Sequence, residues 1–183
     1  MGEGVVVVGY DPGWVELFGE VGRRLRGELG EVGLRIDHVG STAVVGLDAK
    51  PVIDVQVSVA SFEPLEAYRG PIERAGFVYR AGNPELTKRY FREAPGERRT
   101  HVHVRRAGSF SEQFTLLFRD FLRTHPERAN AYAELKYQLA KRFSAPDQRQ
   151  DYVDAKTPFI WETIQQADAW AQATGWEPPP SDC

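Results

Sequence analysis

The residues whose types and spacing suit chemistry fall in two stretches. In the first, His38-Val39 runs into Gly40-Ser41-Thr42, and twelve residues separate Ser41 from Asp54. Glycine lets the backbone take a conformation closed to other residues or approach a ligand closely. The hydroxyls and amide N–H groups of Ser41 and Thr42 are the ingredients of a phosphate-binding nest or of a helix N-cap. Asp54 interrupts the apolar run Val52-Ile53-Asp54-Val55-Gln56-Val57. A carboxylate on such a strand is costly unless it is paired, hydrogen-bonded or bound to a metal. Alternation along a strand puts Gln56 on the same face as Asp54. The plainer alternative is a capped helix with Asp54 accepting local hydrogen bonds.

The second stretch is Thr100-His101-Val102-His103-Val104-Arg105. As a strand it projects His101 and His103 from one face and the valines from the other. Two imidazoles and one carboxylate suit zinc, manganese or iron better than magnesium. The same histidines can donate hydrogen bonds to a phosphate or exchange protons near neutral pH. A surface pair on an amphipathic strand is the plainer alternative. Basic side chains recur around both stretches: Lys50, Lys88, Arg89, Arg92, Arg119, Lys136 and Lys156. Arginine clamps phosphate bidentately and lysine acts as a point charge, although most basic residues of any chain are simply solvated.

The elements that must position these groups follow from local pattern. Val5–Val8 reads as a short buried strand. Asp11-Pro12 opens a helix whose apolar positions Trp14, Leu17, Phe18, Val21, Leu25 and Leu29 share a face, ending at Gly30 or Gly33. Strands are expected at 34–39, 52–59, 77–80, 88–92 and 100–106, the last two forming a hairpin across Ala94-Pro95-Gly96-Glu97. Phe62–Ala75 is helical in pattern and kinked near Pro71. From Ser109 onward the chain is helical: a capping box at Ser109 and Glu112, a second helix after His125-Pro126, and a third region at 151–170 interrupted at Pro158. Strands followed by helices give an α+β fold, a small mixed sheet with C-terminal helices packed against it.

Composition bounds the rest. The 183 residues suit one domain, expected over 1–172, with a Pro-rich irregular tail over 173–183 whose terminal thiol reads as an exposed group. A single cysteine, Cys183, excludes a disulfide framework or a cysteine zinc cluster within the chain. No apolar run approaches a membrane span and no signal peptide is visible, so a cytoplasmic protein is expected. A net charge of -3 argues against general nucleic-acid binding. P-loop and dinucleotide fingerprints are absent, and so is a nucleophile elbow.

Tyr10-Asp11-Pro12-Gly13-Trp14, His38–Leu47, Ala49-Lys50-Pro51-Val52-Ile53-Asp54 and Phe118–Arg123 together resemble the GrpB family, over nearly the whole chain from about residue 5 to about 170. That family also occurs fused to dephospho-CoA kinase and is assigned to the nucleotidyltransferase fold superfamily. Gly40-Ser41 and Asp54 match the superfamily's Gly-Ser turn and first strand carboxylate. The resemblance implies metal-dependent transfer of a nucleotidyl group from a nucleoside triphosphate to a small acceptor. Asp54, His101 and His103 would then be the catalytic and metal-binding residues. Gly40, Ser41, Thr42, Lys50, Arg92, Arg119 and Lys156 would hold phosphates, with His38 and Gln56 beside them. Magnesium or manganese is the implied metal, zinc or iron if the histidines are ligands. Two departures stand out: Val45 replaces the family's usual proline, and Gln56 occupies the place of the superfamily's second acid, so Asp37, Asp48 or a later strand would have to supply the missing charge. The alternatives are a non-catalytic module binding a nucleotide or coenzyme-A-related ligand, and a different metal chemistry centred on Asp54, His101 and His103. A nucleotide or small molecule is the expected partner, with no membrane and the oligomeric state left open.

Overall fold

The computed structural model describes residues 4–183. In chain order the elements are α1 (Gly13–Leu29), β1 (Arg35–Val39), β2 (Ile53–Val59), α2 (Glu66–Arg74), β3 (Phe77–Tyr79), β4 (Arg89–Glu93), β5 (Thr100–Arg106), α3 (Phe110–Thr124), α4 (Pro126–Arg142), α5 (Arg149–Asp154) and α6 (Thr157–Thr174). The five strands form one mixed sheet in the order β1-β2-β5-β4-β3. Only the central pair, β2 with β5, is parallel, and the other pairs are antiparallel.

The two faces of the sheet differ because the strands alternate. One face carries Ile36, Ile53, Val55, Val57, Phe91, Val102 and Val104, all buried against Phe18 and Leu25 of α1 and Tyr68 and Ile72 of α2. Each fully buried aliphatic side chain of this kind contributes roughly 1.5–3 kcal/mol relative to exposure. The opposite face carries Asp37, Asp54 and Gln56, His101 and His103, and Tyr90 and Arg92, aligned by the register Asp37↔Gln56, Asp54↔His101, Gln56↔His103 and Tyr90↔His103. Helix α3 packs on part of this polar face. A second apolar cluster joins Val44 and Leu47 to Leu122, Ala129 and Tyr132, which seats the helices beside the turn after β1.

The expected elements form with a few differences. Val5–Val8 is not a strand. Only Val8 pairs, exchanging both backbone hydrogen bonds with Ala49 at 2.9 and 3.0 Å. The outer edge of β1 is taken instead by the C-terminal segment: Ser181 Oγ accepts from Ile36 N–H at 2.8 Å, the Asp182 carboxylate accepts from His38 N–H at 2.9 Å, and Cys183 N–H donates to Ile36 O at 3.1 Å. Covering an edge strand in this way satisfies its unpaired backbone groups. The segment beyond Gly175 is irregular, as its prolines require, but it is docked, and the Cys183 thiol is partly buried against α1. Asp11 Oδ1 accepts from Gly13 N–H at 2.8 Å, so α1 starts one residue later than Pro12. Ser109 caps α3 by accepting from Glu112 N–H at 3.3 Å, whereas Glu112 Oε2 takes the N–H of Gly108 at 2.6 Å. The last helical region divides into α5 and α6, with Pro158 in the first turn of α6, where a missing N–H costs nothing.

Candidate active site

The turn after β1 is where a local conformational demand meets the chemistry. Gly40 has φ +71° and ψ -172°. A Cβ there would lie 2.8 Å from Asp54 Oδ2 and 3.1 Å from Asp54 Cβ. The glycine therefore serves both the backbone geometry and the close approach of the turn to the carboxylate. Ser41–Ala43 then make a single 3-10 turn, within which Thr42 is buried, its hydroxyl donating to Val52 O at 3.2 Å and contacting His38 Nε2 at 3.0 Å.

Asp54 and the two histidines converge because β2 and β5 are parallel neighbours. Asp54 Oδ1 lies 3.1 Å from His101 Nδ1 and 3.1 Å from His103 Nε2. Burial opposes ionisation of Asp54, but the hydrogen bonds from the two histidines and their charge hold its carboxyl far below the usual carboxylate range. Burial also pushes the His103 imidazolium below its ordinary value, with Asp54 opposing. One ligand atom from each of the three residues falls within 4.8 Å of the other two. Donors about 2.0–2.2 Å from one metal stand roughly 3 Å apart, so the spacing fits a common cation. The donor set of two imidazoles and a carboxylate favours zinc, manganese or iron. The outer ring nitrogens, His101 Nε2 and His103 Nδ1, are buried without a partner among the described residues.

This cluster lies in a cavity of about 510 Å³ whose wall includes Gly40, Ser41, Thr42, Lys50, Asp54, His101, His103 and Lys156. The structure thus brings eight of the sequence candidates to one place. Lys88, Tyr90, Tyr132, Lys136, Gln150 and Tyr152 are its other polar lining residues. Burial, with repulsion from Lys156 and Arg149, pushes the Lys50 ammonium down to about 8. Burial and the Lys156 charge take Lys136 down to about 7. Lys156 is lowered by burial and partly restored by Asp54. The Lys136 ammonium donates to the backbone carbonyl of Asp48. The two added lysines and the tyrosines carry no motif. Tyr132 sits on an apolar helix stripe, and only the docking of α4 onto the turn after β1 turns it toward the site.

A smaller cavity of about 140 Å³ adjoins the other side of Asp54, lined by Val39, Gly40, Asp54, Gln56, His103, Arg105 and Thr115. Gln56 is 0% exposed; its amide nitrogen donates to Glu112 O at 3.4 Å, and its Oε1 has no partner among the described residues. It faces this small cavity and brings no charge to Asp54. Neither Asp37 nor Asp48 fills the gap. Asp37 is held by Arg35 at 2.9 Å and lies 3.8 Å from Arg119, while Asp48 accepts from Tyr10 N–H at 2.9 Å and the Tyr137 hydroxyl at 3.0 Å.

Three further candidates lie elsewhere. Arg119 is 1% exposed and bonds Asp120 at 2.7 Å, His38 O at 3.0 Å and Asp182 at 3.0 Å, so its guanidinium is spent inside the fold. Asp120 is its neighbour in the Phe118–Arg123 motif, but nothing in the motif points to Asp182, which comes from the tail. Arg92 pairs with Glu93 at 2.8 Å and lines a separate surface hollow with Tyr79 and Arg80. His38 projects from the apolar face of the sheet, stacked on Phe18 with ring centroids 4.7 Å apart. Burial, reinforced by Arg123, pushes it down to about 4.

A mixed sheet bearing a Gly-Ser turn beside a strand carboxylate defines a nucleotidyltransferase-like fold. The solved structure of Cid1 in complex with its short product ApU superposes on 74% of this chain with a TM-score of 0.50 at 14% identity, covering 43% of that chain. The sequence pattern of the GrpB protein family matches residues 4–166, and the chain belongs to that family. The crystal structure of conserved protein GrpB from Enterococcus faecalis matches with a TM-score of 0.79 and 36% identity over 90% of this chain and 99% of that one. Among curated relatives, UPF0157 protein YqkA of Bacillus subtilis is 34% identical over 91% of this chain, and a dephospho-CoA kinase of Mycobacterium tuberculosis is 32% identical over 94% of it. The chain spans about half the length of each of these two, 48% in both cases. The kinase match agrees with the family's occurrence as a fused domain. No helix among the described residues is long and apolar enough to cross a membrane.

Proposed function

We propose that the chain is a metal-dependent nucleotidyltransferase that takes a nucleoside triphosphate in the large cavity and a small acceptor beside Asp54. The observation that carries this reading is the convergence of Asp54, His101 and His103 on the floor of a cavity walled by Lys50, Lys136 and Lys156, next to the Gly40 turn. A divalent cation held by the three residues would neutralise phosphate charge and favour the attacking group. The chain's own residues do the rest. The lysines balance the triphosphate chain, the Gly40 turn sets the depth at which phosphates meet Asp54, and Asp54 fixes the orientation of both imidazoles. His103, which lines both cavities, would hold the cation at the boundary between them. The 140 Å³ cavity gives a small acceptor an approach from the side opposite the lysines. Catalysis of this kind is mainly positioning and charge stabilisation.

Thermal denaturation with ATP, GTP, CTP and UTP, each with and without manganese or zinc, tests the reading. At about 100 times its dissociation constant a nucleotide stabilises the fold by roughly 2.7 kcal/mol, raising Tm by about 5–10 °C for a chain of this length. The shift should require metal and vanish in Asp54→Asn. Stabilisation that is the same in Asp54→Asn as in the wild type would refute the assignment.

One observation favours a second reading, a binding module without turnover: no second carboxylate joins Asp54 in the cluster among the described residues, because Gln56 is neutral and Asp37 is committed to arginines. Metal-dependent nucleotide binding with no transfer to any acceptor or to water, together with metal affinity gained in Gln56→Asp, would select it.

A further inference from the structure

We infer that the large cavity reads the phosphate chain of its ligand and ignores the base, so that inorganic tripolyphosphate binds it as tightly as any nucleoside triphosphate. The inference rests on assigning that cavity to a triphosphate, as above, and concerns what within the ligand is recognised.

Base recognition needs an open aromatic face or a side chain that pairs a donor with an acceptor; the described wall has no open face and a single amide side chain, which is already engaged through its nitrogen. Stacking on an aromatic ring is the usual sequence-tolerant way to hold a base. Here Tyr152 is 0% exposed and has the ammonium groups of Lys50 and Lys156 over its ring at 5.1 and 4.9 Å. Tyr132 is 5% exposed, stacked on Phe159 with centroids 5.1 Å apart, and carries Lys136 at 4.7 Å. Tyr90 has Lys88 over it at 5.0 Å and the rings of His103 and His101 at 5.3 and 5.6 Å. Every tyrosine of the wall is therefore occupied by a cation of the protein itself.

The buried, unpartnered polar atoms of the described wall, His101 Nε2, His103 Nδ1 and the Tyr152 hydroxyl, are single groups and not paired edges. Bases are told apart by side chains with paired donors and acceptors, chiefly Asn, Gln and Arg. Gln150 is the only such residue among the described residues of the wall, and its amide donates to Asp154 at 2.8 Å. What the cavity does offer is charge. Lys88 is paired with Glu85 at 2.7 Å, but Lys50, Lys136 and Lys156 have no carboxylate within ion-pair distance among the described residues. Unpaired ammonium groups in a partly desolvated wall are unfavourable until an anion arrives. Lysine is a compact point charge without the planar fork that reads shape, so three of them recognise a string of phosphates and not what is attached to it.

Calorimetric titration of the full chain with sodium tripolyphosphate, ATP, GTP, CTP and UTP, with and without manganese, tests this. The five dissociation constants should agree within about threefold. Lys156→Met and Lys136→Met, each checked for wild-type circular dichroism and melting, should weaken all five in equal proportion, by tenfold or more. A tenfold preference for one nucleotide over another, or for any nucleotide over tripolyphosphate, overturns the inference and leaves the triphosphate assignment standing; tenfold corresponds to about 1.4 kcal/mol of base recognition. Tripolyphosphate binding with no nucleotide binding means that the attached nucleoside is refused, which overturns both the inference and the nucleotidyltransferase reading. Binding by none of the five overturns both.

Discussion

Gly40→Ala should unseat Asp54 without removing a single polar group from the site. The added methyl would lie 2.8 Å from Asp54 Oδ2, 3.1 Å from its Cβ and 3.3 Å from its Cγ. Asp54 Cβ is fixed to the central strand β2, so rotation of the carboxylate relieves only part of the overlap. Either the turn retreats or the carboxylate swings away from His101 and His103. A separate cost comes from the backbone, since φ +71° with ψ -172° is a region essentially reserved for glycine and costs an alanine about 1–3 kcal/mol. Adding modest steric strain, the variant should lose about 2–4 kcal/mol, lowering Tm by roughly 5–15 °C in a chain of this length.

Gly46→Ala is the matched control. Gly46 also has positive φ, +79°, but a Cβ there meets nothing within 4 Å. It should lose about 1–2 kcal/mol from backbone strain alone. Guanidinium titrations read stability, the midpoint falling at constant slope in both variants. Calorimetric titration with zinc or manganese reads the site. Metal affinity should fall at least tenfold in Gly40→Ala and stay at the wild-type value in Gly46→Ala. Wild-type metal affinity in Gly40→Ala would show that the turn does not set the position of Asp54, and the argument from close approach would fail.

Three other outcomes follow from the same structure. Lys136 and Lys50 titrate near 7 and 8 in the free protein, and an anion favours their charged forms, so tripolyphosphate affinity should fall as pH rises from about 6.5 to 9 and binding at pH 8 should take up protons; calorimetry in two buffers of different ionisation enthalpy measures the uptake, and a flat affinity profile would contradict it. His38 is held near 4 mainly by burial, so the unfolded chain binds a proton there at a pH where the folded chain does not, and the fold should lose up to about 3 kcal/mol as pH falls from 6.5 to 4; denaturant titrations across that range should show a smaller loss in His38→Gln. Arg119→Leu strips the cation from Asp120 and Asp182 inside the fold and should cost about 3–5 kcal/mol by guanidinium titration, and a loss under 1 kcal/mol would mean that those acids find other partners.

Most of the fold is legible because its signals are local. The valines of β2, the alternation of β5 and the stripe of α1 each state their own structure within a few residues. Asp54, His101 and His103 are legible for the same reason: each is a polar residue on a strand whose periodicity fixes its face, and the register of two neighbouring strands does the rest. What stays hidden depends on contacts between distant segments. Val5–Val8 has the composition of a strand, but the edge of β1 is held by residues 181–183 instead. Arg119 looks like a phosphate ligand by motif, but its charge goes to Asp120 beside it and to Asp182, which only the fold brings near. Lys136 and Tyr152 are ordinary helix residues until α4 and α5 bring them to the cavity wall.

The polar face of the sheet also separates Asp54 from Asp37 as a place for the proposed site, two strand positions that the register places close together. Asp37 is held by Arg35 and approached by Arg119. A guanidinium keeps its proton at any accessible pH and cannot serve as a metal ligand, so that carboxylate is permanently neutralised. Asp54 has imidazoles instead, through His101 Nδ1 and His103 Nε2. An imidazole that gives up its proton becomes a ligand for the cation that replaces it. The same contacts that hold the carboxylate in the resting protein are therefore exchangeable for metal coordination, with no side chain having to leave. Replacing both histidines by arginine would keep N–H donors beside Asp54 but fix positive charge there and abolish that exchange.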